Sequence, residues 1–254
     1  MNTLRRLLLT TLLIAASFAP AQAANLVLMI GEDEYLTWET LPFFAEKELK
    51  PLGHHVTIIH ADAADKNHFP GLIEALRDAD LLLVSVRRRT PRKEELDAVR
   101  AFLAAGRPLI GIRTASHAFA LRPNDKVTDP KLDHWQDFDP AVLGGNYSNH
   151  HRGEDKTIVA LAPGAEAHAI LKSITITELI GHGTLYKNTP LATDATPLLI
   201  GTIPNQPAEP VAWTHRFGPK QAKIFYTSFG HPDDFKDAAF RRLLLNAIAW
   251  ALAK

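Results

Sequence analysis

No cysteine occurs among the 254 residues, so disulfides, thiolate zinc sites and a thiol nucleophile are all excluded. Net charge of one sign is also missing, since 28 Lys and Arg face 28 Asp and Glu. That balance calls for no polyanionic partner, and no nucleic acid is expected. Long apolar runs are scarce. The longest opening run, Leu7 to Phe18, follows Arg5 and Arg6 and is too short to span a bilayer. With Ala21-Gln22-Ala23 behind it, this is the pattern of a cleaved secretory leader. The sequence therefore predicts a signal peptide over 1–23 and one domain over 24–254. A periplasmic or secreted location follows, without stable membrane insertion after cleavage.

What is present is a core. With 46% hydrophobic residues the mature chain can bury a full interior. Asn25 to Ile30 is an apolar run that stops at Gly31, as a buried parallel strand does. Trp38 to Lys50 has helical spacing and ends at Pro51 and Gly53. His55 to Ile59 is a second strand, Pro70 to Leu76 a helix, and Asp80 to Val86 a third strand. Pro91 to Ala105 is a helix with Pro in its first turn, and Pro108 to Ile112 a fourth strand. This βαβαβαβ order predicts an α/β fold with a doubly wound, mostly parallel sheet. Residues 120–210 are irregular, with apolar pieces at Thr157 to Leu161, Ile174 to Ile180 and Pro197 to Ile203 that read as sheet extensions or an elaboration over one edge. Val211 to Trp213 and Ala222 to Ser228 read as a hairpin-like pair, and an apolar stripe from Phe240 to Leu252 as a terminal helix.

Ligands of open parallel sheets sit beyond the carboxyl ends of the strands. Strand one ends in Gly31-Glu32-Asp33-Glu34-Tyr35, strand three in Arg87-Arg88-Arg89, and strand four in Arg113-Thr114-Ala115-Ser116-His117. Acids, guanidinium groups, hydroxyls and an imidazole thus converge on one rim. Capping of a helix start by the acids and a solvated arginine turn are the structural alternatives. Asn146 to Gly153 adds His150 and His151, of which only one is expected to enter a given site, because adjacent side chains on an extended segment point oppositely. His134, His182 and His231 also lie in loops. A divalent metal on three such histidines and a carboxylate is chemically feasible, but no close metal motif exists and no cofactor is predicted. A nucleophilic serine is not supported, because the position for a Gly-x-Ser-x-Gly elbow reads Gly111-Ile-Arg-Thr-Ala115. Dinucleotide binding is not supported either, since the loop after strand one offers only Gly31.

Gly31 to Tyr35, Gly111 to Phe119, Leu143 to His151, Pro210 to Trp213 and Arg241 to Trp250 together resemble the ThuA-like family, named for trehalose utilisation, and its secreted branch in particular. The resemblance runs from about Leu26 to Ala253. It implies a flavodoxin-like, three-layer fold of the class I glutamine amidotransferase type with an added middle segment. In those amidotransferases the nucleophilic Cys stands where this chain has Arg113, which implies that glutamine hydrolysis is absent. The family pattern carries Arg113, Thr114, His117, His150 and His151 over as pocket residues. It also implies a small carbohydrate or keto-sugar ligand.

The leading expectation is an exported enzyme acting on a sugar derivative by isomerisation, elimination or hydrolysis. Arg113 would polarise an oxygen, one of His117, His150 and His151 would move a proton, and Glu34, Tyr35, Arg87, Arg89 and Thr114 would bind substrate. A non-catalytic carbohydrate-binding or complex-forming protein and a metal-dependent hydrolase are the alternatives. For Arg113 an ion pair with Glu32, Asp33 or Glu34 is the competing structural role.

Overall fold

The computed structural model describes residues 23–153 and 155–253. The expected signal peptide, except Ala23, lies outside them. Four strands form where apolar runs are bounded by Gly, Pro and Asp: β1 (Asn25–Gly31), β2 (His55–His60), β3 (Leu81–Val86) and β4 (Leu109–Ile112). Between them lie α1 (Thr37–Phe44), α2 (Leu72–Arg77) and α3 (Lys93–Ala104). The helix expected over Trp38 to Lys50 is present, but its second half widens into a π turn at Ala45–Leu49. The start of α3 is fixed by Glu95, whose carboxylate accepts from the Arg92 amide at 3.1 Å and the Phe69 amide at 2.9 Å.

The irregular half supplies β5 (Asn149–His150), β6 (Thr157–Leu161), β7 (Ile180–Gly181), β8 (Tyr186–Lys187), β9 (Thr196–Thr202), β10 (Glu209–Phe217), β11 (Ala222–Thr227) and α4 (Ala238–Leu252). One nine-stranded sheet results, in the order β2-β1-β3-β4-β11-β10-β9-β6-β7, and β5 pairs separately with β8. The first five strands in that order are mutually parallel, and β10, β9, β6 and β7 continue the sheet antiparallel. The fold is α/β with a mixed, largely parallel sheet, in a flavodoxin-like arrangement of its parallel part. The hairpin-like pair is β10 with β11, and β11 also returns parallel to β4 with Tyr226 opposite Gly111. Of the two remaining apolar pieces, Pro197 to Ile203 becomes β9. Ile174 to Ile180 gives a helical turn and only the first residue of β7.

Strand periodicity sorts the core into two layers. Leu26, Leu28, Leu81, Leu83, Ile110 and Phe225 face α1 and α4. Their neighbours Val27, Met29, Leu82, Val84, Leu109 and Ile224 face α2 and α3. Helices thus cover both faces of the parallel strands, which therefore read as continuous apolar runs. Among the described residues no helix is long and apolar enough to cross a membrane.

Candidate functional site

Parallel strands joined by helices bring the ends of β1, β3 and β4 to one rim, and the backbone there is under strain. Leu36, Arg88 and Arg113, in the loops leaving these three strands, all adopt the left-handed region, with φ of 52°, 49° and 43°. Bulky side chains rarely do so, and such conformations concentrate at functional sites. The loop after β1 is folded by its own first acid. Glu32 is buried, and its carboxylate accepts from the amides of Glu34 and Tyr35 at 2.6 Å and from the Thr37 amide and hydroxyl at 2.8 and 2.6 Å. The next three residues each meet an arginine from a neighbouring strand end. Asp33 pairs with Arg89, Glu34 with Arg87 Nε at 2.7 Å, and Tyr35 with Arg113. The Arg87 Nε–H makes no aligned hydrogen bond, so that contact is one of charges.

Arg113 is the most deeply set of these groups, with 2% of its surface exposed. Its guanidinium lies between two aromatic faces, 4.1 Å from the centre of Tyr35 and 4.7 Å from that of Tyr186. It donates to the Ser228 carbonyl at 2.7 Å, the Tyr35 hydroxyl at 3.2 Å and the Thr184 hydroxyl at 3.4 Å. None of the three is an anion, and among the described residues no carboxylate reaches it within 4 Å. The expected alternative of an ion pair with Glu32, Asp33 or Glu34 is therefore not how Arg113 is held: Glu32 is saturated by amides and the other two are paired elsewhere. Gly183 packs directly on the guanidinium, so close that a Cβ there would overlap it.

A cavity of about 260 Å³ opens on Arg113, lined also by Tyr35, Asp155, His182, Thr184 and His231. The hydrogen bonds assign the two imidazoles opposite tautomers. His182 Nε2 donates to the Asp237 carboxylate at 3.1 Å, so that in the neutral imidazole Nδ1 is left as an acceptor. His231 Nδ1 accepts from the Asp233 amide at 3.2 Å, which puts the proton on Nε2. Burial, offset in part by Asp234, holds the His231 imidazole below its ordinary value, and Arg113 acts in the same direction as burial. The site therefore offers a fixed cation, a proton acceptor and a proton donor in one small space.

The remaining sequence candidates surround this cavity without lining it. His117 is buried behind Tyr186, stacked on Tyr147 at 4.4 Å, with Nδ1 3.1 Å from the Ser116 hydroxyl. Burial first, and then Arg88 and Arg87, push its imidazole down to about 3, so it is neutral at ordinary pH. The Thr114 hydroxyl is enclosed without a hydrogen-bond partner among the described residues. His150 and His151 do point oppositely. His150 is exposed, whereas His151 turns inward to Gln206 at 2.8 Å and to the buried carboxylate of Glu209 at 3.4 Å. Arg87 and Arg89 are tied to the β1 loop. Tyr186 and Gly183 carried no signal in the sequence, being isolated residues in the irregular segment. His182 and His231 were visible in the sequence as loop histidines, and recognising β11 as a parallel neighbour of β4 would have placed His231, which follows its carboxyl end, on the same rim as Arg113.

The family model described as ThuA, trehalose utilisation, matches residues 34–251, and the chain belongs to that family. Among solved structures, a ThuA-like protein from Parabacteroides merdae superposes with a TM-score of 0.62 at 14% identity, over 91% of each chain. The mmIFT52 N-terminal domain gives 0.55 at 12% identity, over 90% of this chain and 98% of that one. A cold-adapted β-galactosidase from Rahnella sp. R3 gives 0.51 at 13% identity, over 89% of this chain but 31% of that one. At these identities the likeness is one of fold. No curated protein matches the chain. Among the described residues no group of three or more His, Cys, Asp or Glu is placed to hold a metal ion.

Proposed function

We propose that the Arg113 cavity binds and processes a small sugar or keto-sugar derivative, in an exported single-domain protein of the amidotransferase-like type that has no glutaminase activity. The observation that carries this reading is a buried guanidinium without a carboxylate partner among the described residues, facing a cavity that also holds two imidazoles of opposite tautomer. Burying a charge whose hydrogen-bond partners are all neutral is costly; the buried carboxylate of Asp234 offsets that cost only through space, and an electron-rich ligand oxygen offsets it by direct contact. The cavity volume falls just below the ~300 Å³ of the smallest drug-sized sites, in keeping with one sugar ring. The family's trehalose association supports the ligand class. The absence of cysteine, with Arg113 at the elbow, supports the lack of glutaminase chemistry.

The chemistry that fits is proton transfer next to a carbonyl. His182 Nδ1 takes a proton from the carbon beside the carbonyl, and Arg113 stabilises the negative charge that develops on oxygen. His231 Nε2–H donates to the same oxygen or to a leaving group. Returning that proton to the former carbonyl carbon, while the hydroxyl on the carbon that lost it gives its own proton back to His231 Nε2 and becomes the new carbonyl, isomerises the sugar. Departure of a β-substituent as the carbonyl re-forms, with the His231 proton going to the leaving group, completes an elimination. His117, neutral and behind Tyr186, is a positioning residue in this scheme. The test is mass-spectrometric screening of keto-disaccharides and related sugars in deuterated water. Turnover or deuterium uptake beside the carbonyl, abolished in His182→Gln with binding retained, is the expected result. Binding across the panel with neither turnover nor exchange would replace the enzyme by a carbohydrate-binding protein.

A further inference from the structure

A second cavity, of about 580 Å³, opens beyond the loop after β3. Its lining carries four cations, Lys66, Arg88, Arg89 and Lys126, against two carboxylates, Asp125 and Asp129. Both acids are committed to local turns: Asp125 accepts from the Arg122 amide at 3.3 Å and Asp129 from the Lys131 amide at 2.9 Å. One further carboxylate, Asp33, is shared between Lys66 at 3.2 Å and Arg89. Positive charge is thus in excess.

Arg88 sharpens the imbalance. Its guanidinium donates to the carbonyl oxygens of Ala120 at 3.1 Å and Leu121 at 3.3 Å, and among the described residues no carboxylate lies within 4 Å of it. Its backbone is held in the left-handed region, and the Nε of Arg89 beside it is enclosed without a hydrogen-bond partner among the described residues. Burial and the neighbouring Arg122 and Arg87 act against the Arg88 charge and prevail over Tyr147 and Asp125, which act for it through space. A cavity of this size with fixed guanidinium groups and the exposed Lys126 at its edge matches the recognition of planar or tetrahedral oxyanions.

We propose that this cavity is an oxyanion site separate from the Arg113 cavity, taking a carboxylate, sulfate or phosphate group as a free ion or on a small polar molecule. The inference does not rest on any reaction at Arg113. Its test is calorimetric titration of the full chain with inorganic phosphate, inorganic sulfate, glucuronate, glucose 6-phosphate and, as the neutral control, glucose. At least one oxyanion is expected to bind, with an affinity that falls as salt is added. Lys126→Gln and Arg89→Gln should each weaken it about tenfold. Arg88 is left intact because it ties the 120–121 segment, and melting curves verify that both variants are folded. Equal affinity for phosphate and glucose 6-phosphate would support a free inorganic ligand, and tighter binding of a charged sugar would support a sugar-borne one. No binding of any oxyanion at millimolar concentration, or binding unchanged in both folded variants, would overturn the proposal.

Discussion

Substituting Gly183 by alanine tests how tightly the guanidinium is seated. The new Cβ would lie 2.6 Å from Nη1 of Arg113 and closer still to Nη2 and Cζ. Unbonded atoms of these types keep about 3.5 Å apart, so the guanidinium must retreat by about 1 Å. The faces of Tyr35 and Tyr186 restrict that retreat. Movement out of the slot gives up the charged hydrogen bond to the Ser228 carbonyl, about 1.5–3 kcal/mol, and part of a cation–π contact, about 0.5–2 kcal/mol. Staying in place strains the site by about 1–3 kcal/mol. Gly183 is not among the residues at positive φ, so alanine carries no backbone penalty that would confuse the result. Gly183→Ala is expected to lower stability by about 1–3 kcal/mol, or about 2–4 °C in Tm for each kcal/mol. Sugar affinity should fall at least tenfold. Thermal melting and calorimetric titration measure both, and in an Arg113→Lys background the added loss should shrink, because the two changes act on one contact. A Gly183→Ala protein that melts and binds like the parent would refute the seating of Arg113 described above.

Two further outcomes concern the groups behind the cavity. Burial raises the Asp139 carboxyl to about 7 against a hydrogen bond from the Tyr147 amide, and its Oδ1 has no hydrogen-bond partner among the described residues. The folded chain therefore holds a proton there that the unfolded chain releases near 3.8, so this group's stabilising contribution is lost as pH rises from about 4 through 7. Asp139→Asn should accordingly gain stability relative to the parent across that window, by a few kcal/mol at most. Urea midpoints at both ends of the window check this, and a pH-independent difference would contradict it. Glu209 accepts from the amides of Asn188 and Thr189, from the Thr189 hydroxyl and from His151. Glu209→Gln should cost about 2–4 kcal/mol in urea unfolding while leaving sugar affinity in the surviving folded protein unchanged. Loss of affinity without loss of stability would move His151 from the interior network into the site.

The parallel half of the fold was legible because β1, β3 and β4 are buried on both faces, which writes them as apolar runs ending at Gly31, Val86 and Ile112. The same logic placed the acids, the arginines and Arg113 on one rim, where the structure has them. The antiparallel half was harder to read, since β6 alternates buried and exposed residues and leaves Ile158 largely in solvent. β10 begins at Glu209 and carries the buried polar residues Thr214 and His215, and Glu209 and His215 are held by hydrogen bonds rather than by apolar packing. Of the expected site, Arg113 and Tyr35 meet in the cavity, whereas His117 and His151 were singled out by their residue type and lie in enclosed surroundings. His182 and Thr184 reach Arg113 only through the long-range path of the middle segment, which spacing along the chain does not encode.

Sugar binding at this site depends on direct contact between the planar guanidinium of Arg113 and the ligand. Arg113→Lys keeps the charge and loses the fork that reaches Ser228, Tyr35 and Thr184 together. Titration of the folded variant with whichever sugar the parent binds, alongside its melting curve, gives the most direct answer. Affinity or turnover is expected to fall at least tenfold in a protein whose loss of Tm is too small to explain it. Unchanged affinity and turnover in a folded Arg113→Lys protein would contradict it.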